Sequence, residues 1–110
     1  VEIVKQMLEM GGVELLQLRD SNNKVTPLQA LCCSHDMGNC QDVVEYMVKL
    51  DPTILQIRDK HGRLPIHEAC MNRSLTLPVL QMLVKFWPES VFEISGLGGC
   101  LPLHMLCMNR

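Results

Sequence analysis

The stretch LPIHEAC, from Leu64 to Cys70, decides the fold because the chain writes it three times. TPLQALC, from Thr26 to Cys32, and LPLHMLC, from Leu101 to Cys107, align with it without a gap. The prolines Pro27, Pro65 and Pro102 stand 38 and 37 residues apart. A recurrence of that period marks a repeat unit, one that must bury its apolar face against its neighbours.

Two further blocks recur in step. IVKQMLEM from Ile3, VVEYMVKL from Val43 and VLQMLVKF from Val79 bring Val4, Val44 and Leu80 into correspondence. They do the same for Met7, Met47 and Leu83, and for Leu8, Val48 and Val84. Spacings of three and four place these side chains on one helical face. The last block is LLQLRD from Leu15, ILQIRD from Ile54 and VFEISG from Val91. Each unit therefore reads as helix, loop, helix and extended finger.

Local signals set the boundaries. Proline suits the first position of the first helix, where no hydrogen bond is lost, and Thr26 is an N-cap. Leu64 and Leu101 have no capping side chain, so packing is expected to hold those two starts. Pro52, Pro88 and the pair Gly11-Gly12 stop the second helices. Gly62, in the turn Asp59-Lys60-His61-Gly62, permits positive φ, and Asn23 is expected to do so in the first finger. The pattern predicts helix pairs near Pro27–Leu50 and Pro65–Phe86, with single helices at Val1–Met10 and Pro102–Met108. In repeat terms, 1–20 ends one unit, 21–58 and 59–95 are whole, and 96–110 begins another. Such an array reads as a piece of a longer one, with apolar faces open at both ends, and is expected to be marginal or to self-associate.

At this point the chain resembles the ankyrin-repeat family. Thr26-Pro27-Leu28, Pro65-Ile66-His67 with Ala69, and Pro102-Leu103-His104 are similar to its T-P-L-H-x-A signature, and Val1–Gly12 resembles its second helix with a glycine stop. The resemblance covers nearly the whole chain. It implies an all-α solenoid of stacked helix–loop–helix units with finger loops. The units here exceed the family period of about 33 residues, with the excess at Ser34–Gln41 and Arg73–Pro78. Gln29 stands where the family places a histidine.

Composition narrows the function classes. The chain has 110 residues, 47% hydrophobic and 4% aromatic, with eight methionines, which fits a helical core filled by aliphatics. A net charge of −2 recruits neither nucleic acid nor an anionic membrane. No apolar run approaches the roughly 18 residues of a membrane span. Six cysteines in apolar helical segments read as reduced thiols, which makes an intracellular reducing compartment, the cytoplasm, the expected setting.

The tempting chemistry lies in LCCSHDMGNC, Leu31 to Cys40. Cys32 recurs as Cys70 and Cys107, so a small buried side chain between helices is expected at all three. Cys33, His35 and Cys40 match no zinc spacing, and adjacent cysteines on a helix point about 100° apart. His67 with Cys70 is spaced as a nucleophile and base, but no orienting acid or oxyanion motif accompanies it. By the resemblance, His67 and His104 are structural and bridge the backbone of neighbouring fingers. Gly96-Leu97-Gly98-Gly99 lacks the lysine and hydroxyl of a phosphate loop and reads as a finger. No metal, cofactor or enzymatic activity is expected of these residues.

The ankyrin resemblance implies a module that binds another protein through its concave face and fingers. The alternative is a scaffold or regulatory segment of a larger enzyme or transporter. Candidate contacts are Asn22 and Lys24 on the first finger, and Arg58, Lys60, His61 and Arg63 on the middle one. Asn72 and Arg73, echoed as Asn109 and Arg110, extend the row along the inner helices.

Overall fold

In the computed structural model, which describes residues 2–21, 24–37, 40–96 and 98–109, the described residues form helices and turns and no strand. The α-helices are α1 Glu2–Gly11, α2 Pro27–Cys32, α3 Gln41–Leu50, α4 Pro65–Met71, α5 Leu77–Phe86 and α6 Pro102–Asn109. The two expected pairs are α2 with α3 and α4 with α5, and α1 and α6 stand at the ends. The helix α4 packs between α2 and α6, while α5 packs on α3. The ammonium group of Lys5 on α1 lies 5.6 Å from the centre of the Tyr46 ring on α3.

One expectation fails. The segments after the second helices do not start extended, because Val13–Gln17, Pro52–Gln56 and Pro88–Phe92 are 3-10 turns. Leu18, Ile57 and Glu93 begin the extended backbone. The reason is visible at Ile54 and Leu55, which are adjacent and both buried. A strand sends neighbouring side chains to opposite faces, whereas a tight turn carries both inward. Pro52 and Pro88, besides ending α3 and α5, supply the fixed φ that starts these turns.

The core follows the repeat. Leu28, Cys32, Val44, Val48, Ile54, Ala69, Val79 and Leu83 share one buried cluster that joins both pairs. Leu64, Ile66, Cys70 and Met105 form a second one toward α6. Cys32 and Cys70 are buried as expected, but Cys107 is exposed. It lies on α6, the last helix of the row.

The fingers close in a common way. Backbone amides of Asp20, Asp59 and Ser95 donate to the carbonyls of Val25, Arg63 and Cys100 at 3.0, 2.9 and 2.9 Å. Gly62 has φ 74, as its place in the turn requires. The expectation for Asn23 lies outside the described residues; the positive φ in that finger that is described belongs to Lys24, at 55°.

Candidate partner-binding groove

Three equivalent side chains fix the starts of the inner helices. Gln29 Oε1, His67 Nδ1 and His104 Nδ1 accept from the backbone N–H groups of Thr26, Leu64 and Leu101, at 3.0, 2.9 and 3.0 Å. Each lies three residues after the N–H it satisfies, which is the returning half of a capping box. Leu64 and Leu101 thus need no capping side chain of their own, and packing is not alone in holding those starts. Thr26 adds the forward half through its hydroxyl to the Gln29 amide.

In Gln29 and His67 the other end reaches backbone of the finger that follows the second helix. Gln29 Nε2 donates to the carbonyls of Ile57 and Arg63 at 2.7 and 3.1 Å. His67 Nε2 lies 2.9 Å from the Glu93 carbonyl. Because Nδ1 accepts an N–H and Nε2 faces a C=O, the neutral ring with its proton on Nε2 satisfies both contacts. Glutamine therefore replaces histidine here without loss of either bond. Burial, first among the causes, holds the His67 pKa below its ordinary value. With both nitrogens engaged, His67 has none left to serve as base for Cys70.

A second ladder runs along the ends of the inner helices. Asn72 Nδ2 donates to the carbonyls of Cys32 and Ser34, both at 2.7 Å, and Asn109 Nδ2 donates to that of Cys70 at 3.2 Å. These amides satisfy carbonyls that a helix end leaves without partners. The echo Met-Asn-Arg thus has a structural member, its asparagine.

Beside Asn72 of this second ladder lies a groove of about 410 Å³, lined also by Cys33, His35, Glu68, Met71, Arg73 and Ser74. The enlarged loop after α2 forms one wall, held by the Ser74 hydroxyl bonded to the His35 carbonyl. On its floor the Cys33 thiol donates to Glu68 Oε2 at 3.2 Å, and Arg63 Nη1 lies 3.7 Å from Glu68 Oε1. Burial, followed by the bond to the Glu68 carboxylate, pushes the Cys33 pKa up to about 12. The Glu68 carboxyl is itself raised, again chiefly by burial. In its protonated form the thiol serves as a hydrogen-bond donor to the carboxylate.

Among the described residues no three histidine, cysteine or carboxylate side chains gather as a metal site. Chelator treatment should leave helix content unchanged, and metal analysis should find zinc far below one ion per chain. One zinc per chain that disappears in the Cys33→Ser variant would contradict this assignment.

The candidate contact residues divide. Arg58 is spent inside the fold: Nη1 donates to the carbonyls of Gly62 and Ile94 at 2.7 and 2.8 Å, and Nη2 meets Glu93 Oε1 at 3.0 Å. Arg63 is half-buried beside Glu68, and Asn72 and Asn109 serve the helix ends. Arg73, Lys24, Lys60 and His61 are exposed, with Arg73 on the groove and the others on the fingers. Asn22 and Arg110 lie outside the described residues. The pairing of Cys33 with Glu68 had no sequence signal, since it joins residues 35 positions apart.

No family model matches the chain, and no curated protein matches it. No described helix is long and apolar enough to cross a membrane.

Proposed function

We propose that this chain is a stretch of an ankyrin-type solenoid and acts as a protein-binding module, with no catalytic step of its own. The observation that carries the repeat reading is the shared role of Gln29, His67 and His104, each fixing its own helix start. A rigid row of units presents side chains that the core does not use, and those are available to a partner. The groove at Cys33, Glu68, Met71 and Arg73 is the site favoured for contact. It combines an exposed cation, an exposed methionine and a half-buried carboxylate within one recess, a mixture suited to a protein surface. Arg73 and the finger cations favour a partner patch that carries carboxylates or free carbonyls. The ankyrin resemblance supports the same conclusion by analogy.

A photo-crosslinking residue placed at Arg73, compared with one at Glu45 on α3, tests the assignment. The expected result is one saturable partner captured at 73, competed by unlabelled protein, weakened by added salt and not captured at 45. Capture of that partner at 45 alone would place the interface on the outer helices and remove the groove from the account.

A further inference from the structure

The groove beside Asn72 holds a carboxyl group that the repeat does not require. Glu68 stands where the other units carry Ala30 and Met105, so helix stacking calls for no acid there. Its side chain nevertheless meets two other segments. From the end of α2, the Cys33 thiol donates to Oε2, and Cys32 lies close enough to feel its charge. From the middle finger, Arg63 Nη1 stands 3.7 Å from Oε1, and the Asp59 carboxyl lies within hydrogen-bond reach. Both walls of the groove belong to whole units in the middle of the row.

Two carboxyl groups in contact do not both ionise freely, and their other partners decide which one carries a proton. Asp59 Oδ1 accepts the backbone N–H groups of His61 and Arg63 at 2.8 and 3.0 Å. Asp20 Oδ1 and Ser95 Oγ receive the matching N–H groups of Val25 and Cys100, so this acceptor role belongs to the repeat. Glu68 has only a thiol, which is a weak donor, and a guanidinium beyond hydrogen-bond distance. Asp59 is thus built to accept, and Glu68 is the group free to carry the proton. Burial is the main cause that raises the Glu68 pKa and the Asp59 contact adds to it, while the Cys33 thiol and Arg63 act against both.

We propose that one proton sets the charge of this groove: Glu68 takes it up as the medium turns acidic, donates it to Asp59, and leaves Arg73 facing a partner with no carboxylate beside it. His35, also on the groove, can change charge only in the same direction. Acid therefore strengthens the hold on a patch that carries carboxylates, a regulation that rests on the groove being the contact site.

Carbon-13 NMR of the side-chain carboxyls, followed from neutral pH into acid, tests this without a partner in the wild type, Asp59→Asn and Glu68→Gln. Both variants keep the side chain's size, and the amide oxygen of Asp59→Asn still accepts the two N–H groups. In the wild type Glu68 should titrate above 4.5, with the backbone amides of Met71, Arg73 and Ser74 shifting at the same midpoint. That midpoint should fall in Asp59→Asn, and the amides should lose the step in Glu68→Gln. A Glu68 midpoint at or below 4.5, one that Asp59→Asn leaves in place, or groove amides that do not follow Glu68 would each overturn the proposal. With the photo-crosslinker moved to Met71, so that Arg73 is kept, Glu68→Gln should capture about threefold more partner at neutral pH than the chain with Glu68. Equal or weaker capture would overturn the link between the proton and the partner. Absence of any captured partner would count against the contact site alone, since the titration needs none.

Discussion

Replacing His67 by alanine is expected to destabilise the chain by about 2–5 kcal/mol, since it strips the Leu64 N–H and the Glu93 carbonyl of their partners in a buried setting. A small domain has only about 5–15 kcal/mol to lose, so the variant should be partly unfolded at room temperature. His67→Gln should recover most of the loss, because Gln29 already performs both tasks one unit earlier. His104→Ala, at an exposed position, should cost less than about 1 kcal/mol. Urea midpoints at constant slope measure all three. Equal losses for His67→Ala and His104→Ala would deny that the bond to the Glu93 carbonyl matters.

The same ring gives stability a pH dependence. Its folded pKa lies below the ordinary 6.5, so the unfolded chain takes up a proton more readily than the fold does. This contribution is complete above about 6.5 and is lost as pH falls from there through the lower folded value. Protonation would place a hydrogen on Nδ1, facing the Leu64 N–H. His67→Gln should flatten that part of the profile.

Gly62→Ala is expected to cost about 2–4 kcal/mol from two independent causes. The residue holds φ 74, which a side chain adopts only with strain. A methyl group there would also stand 2.5 Å from the Cα of Gly96, whose amide donates to the Gly62 carbonyl at 2.9 Å. The obstacle is backbone, so it yields only by parting the two fingers. That in turn disturbs Arg58, which spans the same pair through Gly62 and Ile94. The urea midpoint should fall with the slope unchanged; a Gly62→Ala chain as stable as wild type would mean that the fingers are not packed this closely.

Much of the fold was legible because repetition turns weak local signals into strong ones. Pro27, Pro65 and Pro102 each begin a helix, and the spacing of the apolar residues predicted every second helix to within a residue or two. Where the forecast failed, the missing information was tertiary. Ile54-Leu55 reads as extended by propensity but must bury two neighbouring side chains at once. Leu64 looks uncapped until the ring three residues on turns back to it. Among the candidate contacts, Arg58, Asn72 and Asn109 look like surface polar residues because, apart from Gly62 beside Arg58, their carbonyl partners lie 36 to 40 positions away. A sequence displays charge and amide groups but not the backbone atoms that will consume them.

The central claim is that His67, the third residue after its helix cap, ties the start of α4 to the extended backbone at Glu93, and nitrogen-15 NMR of the imidazoles tests it most directly. The account predicts a neutral His67 with its proton on Nε2, slow to exchange, and with Nδ1 accepting from the Leu64 amide. A His67 ring that carries its proton on Nδ1, or that titrates as an exposed imidazole does, would contradict it.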